Sequence, residues 1–395
     1  MGRKRREVWK NRYSPMKRLD FFYFDAGGGH RAAANALRLA IERSGRPWEI
    51  RLINLQEILD PLDIFRRYFG LRLQDVYNLL LKKGWTLGSP QLLWVMHQLI
   101  RLYHPGQVRL LTAFWKGRET DLVVSMVPNF NRAIAESVRA ALPGVPFATI
   151  LTDLADYPPH FWMERESQYL ICGSAKAVAQ ARALGHPESR IFRASGMILH
   201  PRFSDPVQVD REAERRRLGL DPELLTGLVL FGGEGNTVMI EIAERLDRAG
   251  IALQLILICG HNRRLLDKLR ARKFRMPCFV EGFTTELPYY MHLSDFFIGK
   301  PGPGSISEAL AMKLPAIVER NVYTLPQERY NVDWLLEQGA GLMLPNFRGI
   351  ADAVREMLDP ANFARYRARA AAVENRAVFE IPEFLERIMD AAPRA

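Results

Sequence analysis

Cysteine is scarce here: three in 395 residues, Cys172, Cys259 and Cys278, widely spaced and without a C-x-x-C pair. That excludes a disulfide scaffold and a cysteine-built zinc site, and it fits a reducing, cytosolic setting. No run reaches the roughly 18–20 apolar residues that cross a bilayer. The basic start Arg3-Lys-Arg-Arg6 is followed by Phe21-Phe-Tyr-Phe24, Asp25 and glycines, so the apolar core of a secretory signal is missing. No D-x-D triplet occurs. The usual carboxylate pair for holding a metal on a diphosphate is thus absent, and neither a metal nor a resident cofactor is expected.

What is present is length, basicity in two places, and glycine loops. A chain of 395 residues exceeds one average core, so two domains are expected. The net charge of +11 is concentrated. Residues 1–18 hold eight Lys/Arg against one Glu, and residues 61–118 hold nine against two Asp, leaving the remainder slightly acidic. Such localisation points to a polyanionic partner met by one face, an anionic lipid surface or nucleic acid. A solubilising tail is the plainer reading of residues 1–18.

Two stretches open alike. Leu19–Phe24 precedes Gly27-Gly-Gly29 and an Ala-rich helix over Arg31–Arg43; Leu228–Phe231 precedes Gly232-Gly-Glu-Gly235 and a helix over Thr237–Arg248. Strand, glycine loop and helix form the first unit of a parallel α/β sheet. Further short apolar runs follow each opening: Glu49–Asn54, Leu122–Ser125, Phe147–Thr152 and Gln168–Cys172, then Leu253–Cys259, Phe279–Glu281, Phe296–Ile298 and Ala316–Val318. The fold expected is α/β: two facing Rossmann-like domains with a cleft between them. They span 19–205 and 206–372, after a basic tail (1–18) and before a C-terminal helix (373–395) that packs back across both. Residues 61–118 break the rhythm with Phe65, Tyr68, Phe69, Trp85, Trp94, Tyr103, Phe114 and Trp115 among Arg and Lys. A basic–aromatic helical insertion suits a membrane interface; a covered helical subdomain is the alternative.

The stretch richest in chemistry is Gly299-Lys-Pro-Gly-Pro-Gly-Ser-Ile-Ser-Glu-Ala-Leu310, with Gln327-Glu-Arg-Tyr-Asn331 beyond it. A strand ending at Ile298, a turn at Gly302, Pro303 and Gly304, and a helix beginning at Ser305 would aim unpaired N–H groups and a positive dipole end at a phosphate. Ser305-x-x-Glu308 also reads as a capping box, in which Glu308 merely bonds the Ser305 N–H. Asp25-Ala-Gly-Gly-Gly-His-Arg-Ala32 matches a degenerate dinucleotide fingerprint, but the second strand ends at Asn54 where a ribose-binding carboxylate is needed, which argues against NAD. Glycines there leave His30 at a helix start, placed for general-base work or for a simple cap.

These residues resemble the monogalactosyldiacylglycerol synthases and related processive diacylglycerol glucosyltransferases, and more distantly the N-acetylglucosaminyltransferase that forms lipid II (glycosyltransferase family 28, GT-B fold). The resemblance runs from about Leu19 to Ala395. It rests on Phe231-Gly-Gly-Glu-Gly235, Cys259-Gly-His-Asn262, Val280-Glu-Gly-Phe-Thr-Thr-Glu286, Lys300–Ala309 and Gln327–Asn331. It implies an inverting transferase in which 206–372 binds a UDP-hexose and 19–205 meets a diacylglycerol-type lipid. The backbone at Phe283 would meet uracil and Glu308 the ribose. Gly302–Ser305 with Gly233, Glu234, Gly235 and Asn236 would cradle the diphosphate, and Gln327, Glu328 and Asn331 would read the sugar. Gly27, Gly28 and Gly29 with His30 match the acceptor loop, His30 as base, and Asp153 matches a T-D segment beside it. Two positions depart: Val127 stands where a histidine precedes proline, and the histidine after Thr152-Asp153 is displaced to His160.

The implied setting is peripheral, on the inner face of the cell membrane, with lipid favoured over nucleic acid as the polyanion. A UDP-sugar epimerase of the same fold would need no lipid and would leave the insertion unexplained. A non-catalytic membrane- or nucleic-acid-binding relic would leave the donor motifs unexplained.

Overall fold

A computed structural model describes residues 16–25, 29–62 and 89–392, without the side chains of 89–97 and 99. Short runs of Val, Leu, Ile and Phe form strands buried on both faces, as parallel sheets require. The first sheet contains β1 (Lys17–Tyr23), β2 (Trp48–Asn54), β3 (Leu122–Ser125), β4 (Phe147–Ile150), β5 (Tyr169–Cys172) and β6 (Ile191–Arg193). Its order is β2-β1-β3-β4-β5-β6, every pair parallel. The connecting helices are α1 (Gly29–Arg43), α2 (Leu55–Leu59), α3 (Ser89–Trp115), α4 (Asn131–Ala141) and α5 (Ala175–Ala183).

The linker helix α6 (Arg211–Arg217), N-capped by Asp210, leads into the second sheet. This sheet holds β7 (Leu225–Leu230), β8 (Leu253–Ile258), β9 (Cys278–Glu281), β10 (Phe296–Gly299), β11 (Ala316–Glu319) and β12 (Gly341–Leu344). Its order, again all parallel, is β12-β11-β10-β7-β8-β9. Around it lie α7 (Val238–Ala249), α8 (Arg263–Arg270), α9 (Leu287–His292), α10 (Pro303–Ala311), α11 (Arg329–Glu337), α12 (Ile350–Leu358) and α13 (Pro360–Ala371). The last helix, α14 (Ala377–Ala391), returns to the first sheet: Ala377, Ile381, Leu385 and Ile388 are buried with Leu19, Phe21, Leu37 and Ile41. The chain crosses between domains near Ser195 and near Asn375, and the crossings touch: the Ser195 N–H donates to Glu380, and the Arg376 N–H donates to Ser195 Oγ at 2.7 Å.

Several expectations shift. Lys17 and Arg18, counted with the tail, open β1 and pair with Asp121 and Glu119. The edge strands β6 and β12 went unread because one has three residues and the other begins with glycine. The insertion divides. Phe65, Tyr68, Phe69 and Trp85 lie outside the described residues, as does the Trp94 side chain. Trp115 is core, donating its indole N–H to Ser137 Oγ at 3.1 Å and lying edge-on to Phe22. Phe114 packs beside it under Arg118. The outward face of α3 carries exposed Arg101, Leu102, Pro105 and Arg109, and Lys116, just past its end, is exposed as well. No helix among the described residues is long and apolar enough to cross a membrane.

Candidate active site

The second sheet reverses direction between β7 and β10: the chain runs outward through β8 and β9, then returns to the far side of β7. Loops leaving two such strands diverge, and the crevice between them at the carboxyl edge is where ligands bind in open α/β sheets. Here those loops are Phe231–Asn236 and Lys300–Gly302. The first is built around close backbone approaches. Gly235 and Gly260 have φ of +60° and +59°, and a Cβ on them would come within 2.4 Å of the Cys259 carbonyl and 2.1 Å of the Gly233 carbonyl. The His261 N–H donates to that Gly233 carbonyl at 2.7 Å. The Val238 N–H, at the start of α7, donates to the Asn236 amide oxygen at 2.9 Å.

The second loop settles the capping question. Helix α10 begins at Pro303 with Gly302 as N-cap, so Ser305 is already inside the helix and no side chain caps it. The capping box does not form. Proline at the first helical position gives up an N–H that would have been unpaired anyway. The N–H groups of Gly304 and Ser305 make no hydrogen bond among the described residues. The Glu308 side chain, one turn further, makes no hydrogen bond or ion pair among them either, and burial alone pushes its carboxyl up to about 7. Solvent still reaches this side chain, which is only partly buried. Lys300 is a residue that sequence reasoning left without a role. Its stem would lie 3.4 Å from a Cβ on either Gly232 or Gly302, and its Nζ is 3.5 Å from Glu328 Oε1. A cation therefore stands between the two loops.

Gln327 and Glu328 lie in a short 3₁₀ turn before α11. Gln327 Oε1 and Asn331 Oδ1 are buried with no partner among the described residues, and orphaned acceptors of this kind call for donors. Asn331 is fully buried and gives its amide to the Pro301 carbonyl at 2.9 Å, so it stands behind the loop and braces it.

The facing wall comes from the first domain. Gly29 is the exposed first residue of α1, and His30 follows it; Gly27 and Gly28 lie outside the described residues. His30 Nδ1 is 2.8 Å from Thr152 Oγ1, and burial holds the imidazole down at about 4, so it is neutral at ordinary pH. Asp153 accepts the Trp162 indole N–H at 2.9 Å. Burial raises its carboxyl to about 7, against the pull of that indole, and the Glu328 and Asp156 carboxylates add to the rise. Glu328 belongs to the other domain, so the two walls already sense each other. Trp162 also packs against the His30 ring at 5.7 Å, joining His30, Thr152, Asp153 and Trp162 in one group. Val127 is buried in the core behind the cleft, and His160 turns its Nδ1 to the Met163 carbonyl at 3.2 Å. Among the described residues, no group of three His, Cys, Asp or Glu could hold a metal ion.

Two parallel-sheet domains with a site at the second sheet's switch point define a GT-B glycosyltransferase fold. A MurG from Acinetobacter baumannii superposes with a TM-score of 0.60 at 12% identity, over 94% of this chain and 100% of that one. A UDP-GlcNAc 2-epimerase from Neisseria meningitidis, solved bound to UDP-GlcNAc, gives 0.58 at 13%, over 94% and 100%. The sequence match is narrower than the fold: residues 228–382 match the glycosyltransferase family 28 C-terminal domain. Its resemblance to monogalactosyldiacylglycerol synthases holds along its length. Synthase 1 of Arabidopsis thaliana is 29% identical over 367 residues, covering 88% of this chain; the chain spans 66% of that relative's length.

Proposed function

We propose that this protein is a UDP-sugar-dependent inverting transferase that moves galactose or glucose onto a lipid hydroxyl, diacylglycerol being the best-fitting acceptor, at an anionic membrane surface on the cytoplasmic side. The observation that carries the reading is one crevice. Gly233–Asn236, Lys300–Ser305, Glu308 and Gln327–Glu328 converge there, opposite His30 and Asp153, within a family 28 domain. The diphosphate would lie on the Gly304 and Ser305 N–H groups and beside Lys300, and the ribose hydroxyls on Glu308. Gln327 and Glu328 would take the sugar, with Asn331 fixing the loop beneath.

The tautomer that donates Nδ1–H to Thr152 would leave the Nε2 lone pair of a neutral His30 to take the acceptor hydroxyl proton. The acceptor oxygen then attacks the anomeric carbon as its bond to the β-phosphate breaks, and that electron pair departs with UDP. Preorganised donors and a cation stabilise the departing charge, so turnover is expected to survive EDTA.

The test supplies UDP-galactose, UDP-glucose and UDP-N-acetylglucosamine, each with and without diacylglycerol in anionic vesicles. UDP release that depends on lipid supports the proposal. Absence of both UDP binding and turnover with every pair rejects it. The epimerase reading draws on the shared fold, and lipid-free interconversion of a UDP-sugar would favour it instead.

A further inference from the structure

Beyond the loops that would hold a diphosphate, the same sheet edge carries an aromatic pair in the open. The rings of His261, just after β8, and Phe283, just after β9, stack with centroids 4.0 Å apart and planes within 15°. Phe283 is 56% exposed, and His261 is exposed as well. A large apolar ring held flat and open to solvent has lost burial without an evident structural return. This is the only ring contact of Phe283 among the described residues.

The turn that carries Phe283 is tied down at its other end. Arg202, from the interdomain linker, donates to the Thr285 carbonyl and reaches Glu286 Oε1 at 3.2 Å. The Glu286 N–H bonds Thr284 Oγ1 at 2.9 Å, and the Gly282 N–H bonds Glu281 Oε1 at 2.7 Å. These anchors are polar and flank the ring, whereas the His261 stack is the ring contact among the described residues. The His261 backbone is bonded in turn to Gly233 of the first glycine loop. Three neighbouring strand ends, of β7, β8 and β9, are thereby joined. Adjacent strands lie about 4.8 Å apart, so β9 stands about 10 Å from β7 along the edge. That is close to the reach of a nucleoside from its diphosphate, and a nucleobase has a π-face for an aromatic platform.

We propose that His261 is a positioning residue for the donor's base: its imidazole holds the Phe283 ring flat and so fixes the turn against which the nucleobase rests. The proposal depends on the donor reading above and adds the element that sets nucleoside affinity. Substituting the side chain leaves the His261 N–H to Gly233 bond in place, so the ring's effect can be isolated.

The experiment is calorimetric titration of UDP and of inorganic pyrophosphate into the full chain, its His261→Ala variant and its His261→Phe variant, with donor kinetics alongside. His261→Ala is expected to weaken UDP about three- to ten-fold, the scale of one aromatic pair. It should leave pyrophosphate affinity unchanged and raise donor KM at constant kcat. His261→Phe should restore UDP binding, because it keeps the stack. The proposal is overturned if His261→Ala binds UDP like the parent, if UDP and pyrophosphate weaken together, or if phenylalanine fails to rescue. A parent protein that binds no UDP at all overturns the donor reading instead.

Discussion

His30 and Asp153 have their protonation shifted in an order opposite to the one their residue types suggest. Burial lowers the imidazole to about 4 and raises the carboxyl to about 7, with Glu328 and Asp156 contributing to the latter. The histidine is therefore neutral across the neutral range, as the proposed base must be, and the group that titrates near pH 7 is the aspartate. The acid limb of kcat/KM should fall near pH 7 and flatten in Asp153→Asn; a limb that stays at 7 in that variant would assign it elsewhere. His30→Ala should cut turnover by about 10²–10⁴, the range of general-base catalysis, while UDP affinity measured by titration stays put.

Glu308 gives a prediction of stability against affinity. Its carboxyl rises from 4.5 to about 7 on folding, so the fold favours the protonated form. The associated stability is complete below pH 4.5, is lost as pH rises through 7, and stays lost above. Glu308→Gln should thus leave the melting temperature unchanged at pH 4 and raise it at pH 8. The gain is on the order of 1 kcal/mol once solvent in the cleft is allowed for. The same change should weaken UDP about ten-fold or more, the scale of a charge-assisted hydrogen bond. An increase in stability together with a loss of binding would mark a residue kept for its ligand.

At the scale of elements, the glycine loops separate by what each glycine is for. Gly260 has a left-handed backbone, and a Cβ on it would meet the Gly233 carbonyl at 2.1 Å. Gly260→Ala should therefore cost about 1–3 kcal/mol in chemical denaturation and distort the site with the fold. Gly304 sits in the first turn of α10 with nothing within 4 Å of an added Cβ. Gly304→Ala should leave stability equal or higher by up to about 1 kcal/mol and still reduce UDP affinity, if a phosphate approaches that backbone. Unchanged affinity would remove Gly304 from the cradle.

Alternating apolar runs and glycine punctuation made the two parallel sheets and their first units legible before any coordinates. The α10 boundary was not. Ser305-x-x-Glu308 carries a convincing local signal, and proline's preference for the first helical position overrode it by starting the helix two residues sooner. Lys300 and His261 stayed silent for another reason. Lys300 matters because β10 lies beside β7, and His261 because β8 lies beside β9; neither neighbourhood is written in local sequence.

Across the whole molecule, the basic–aromatic insertion joins a core part and an exposed part that sequence composition merges. At its end, Trp115 is 1% exposed and bonded to Ser137. Trp115→Ala should cost about 3–5 kcal/mol, registering as lost stability. On the outward side, Arg109 of α3 and Lys116, the residue just past its end, are exposed with Leu102, and neither cation has an ion-pair partner among the described residues. A basic residue near an anionic bilayer contributes about 1 kcal/mol and fades with salt over a Debye length. Neutralising both, Arg109→Gln with Lys116→Gln, should lower partitioning onto phosphatidylserine-containing vesicles about thirty-fold at low salt. The difference should shrink in 0.5 M salt, with UDP affinity untouched because the proposed nucleotide crevice lies in the other domain. Activity would then fall with vesicle-borne diacylglycerol and persist with a short-chain, dispersed acceptor. Equal partitioning of variant and parent would show that α3 faces water and that the membrane contact lies elsewhere.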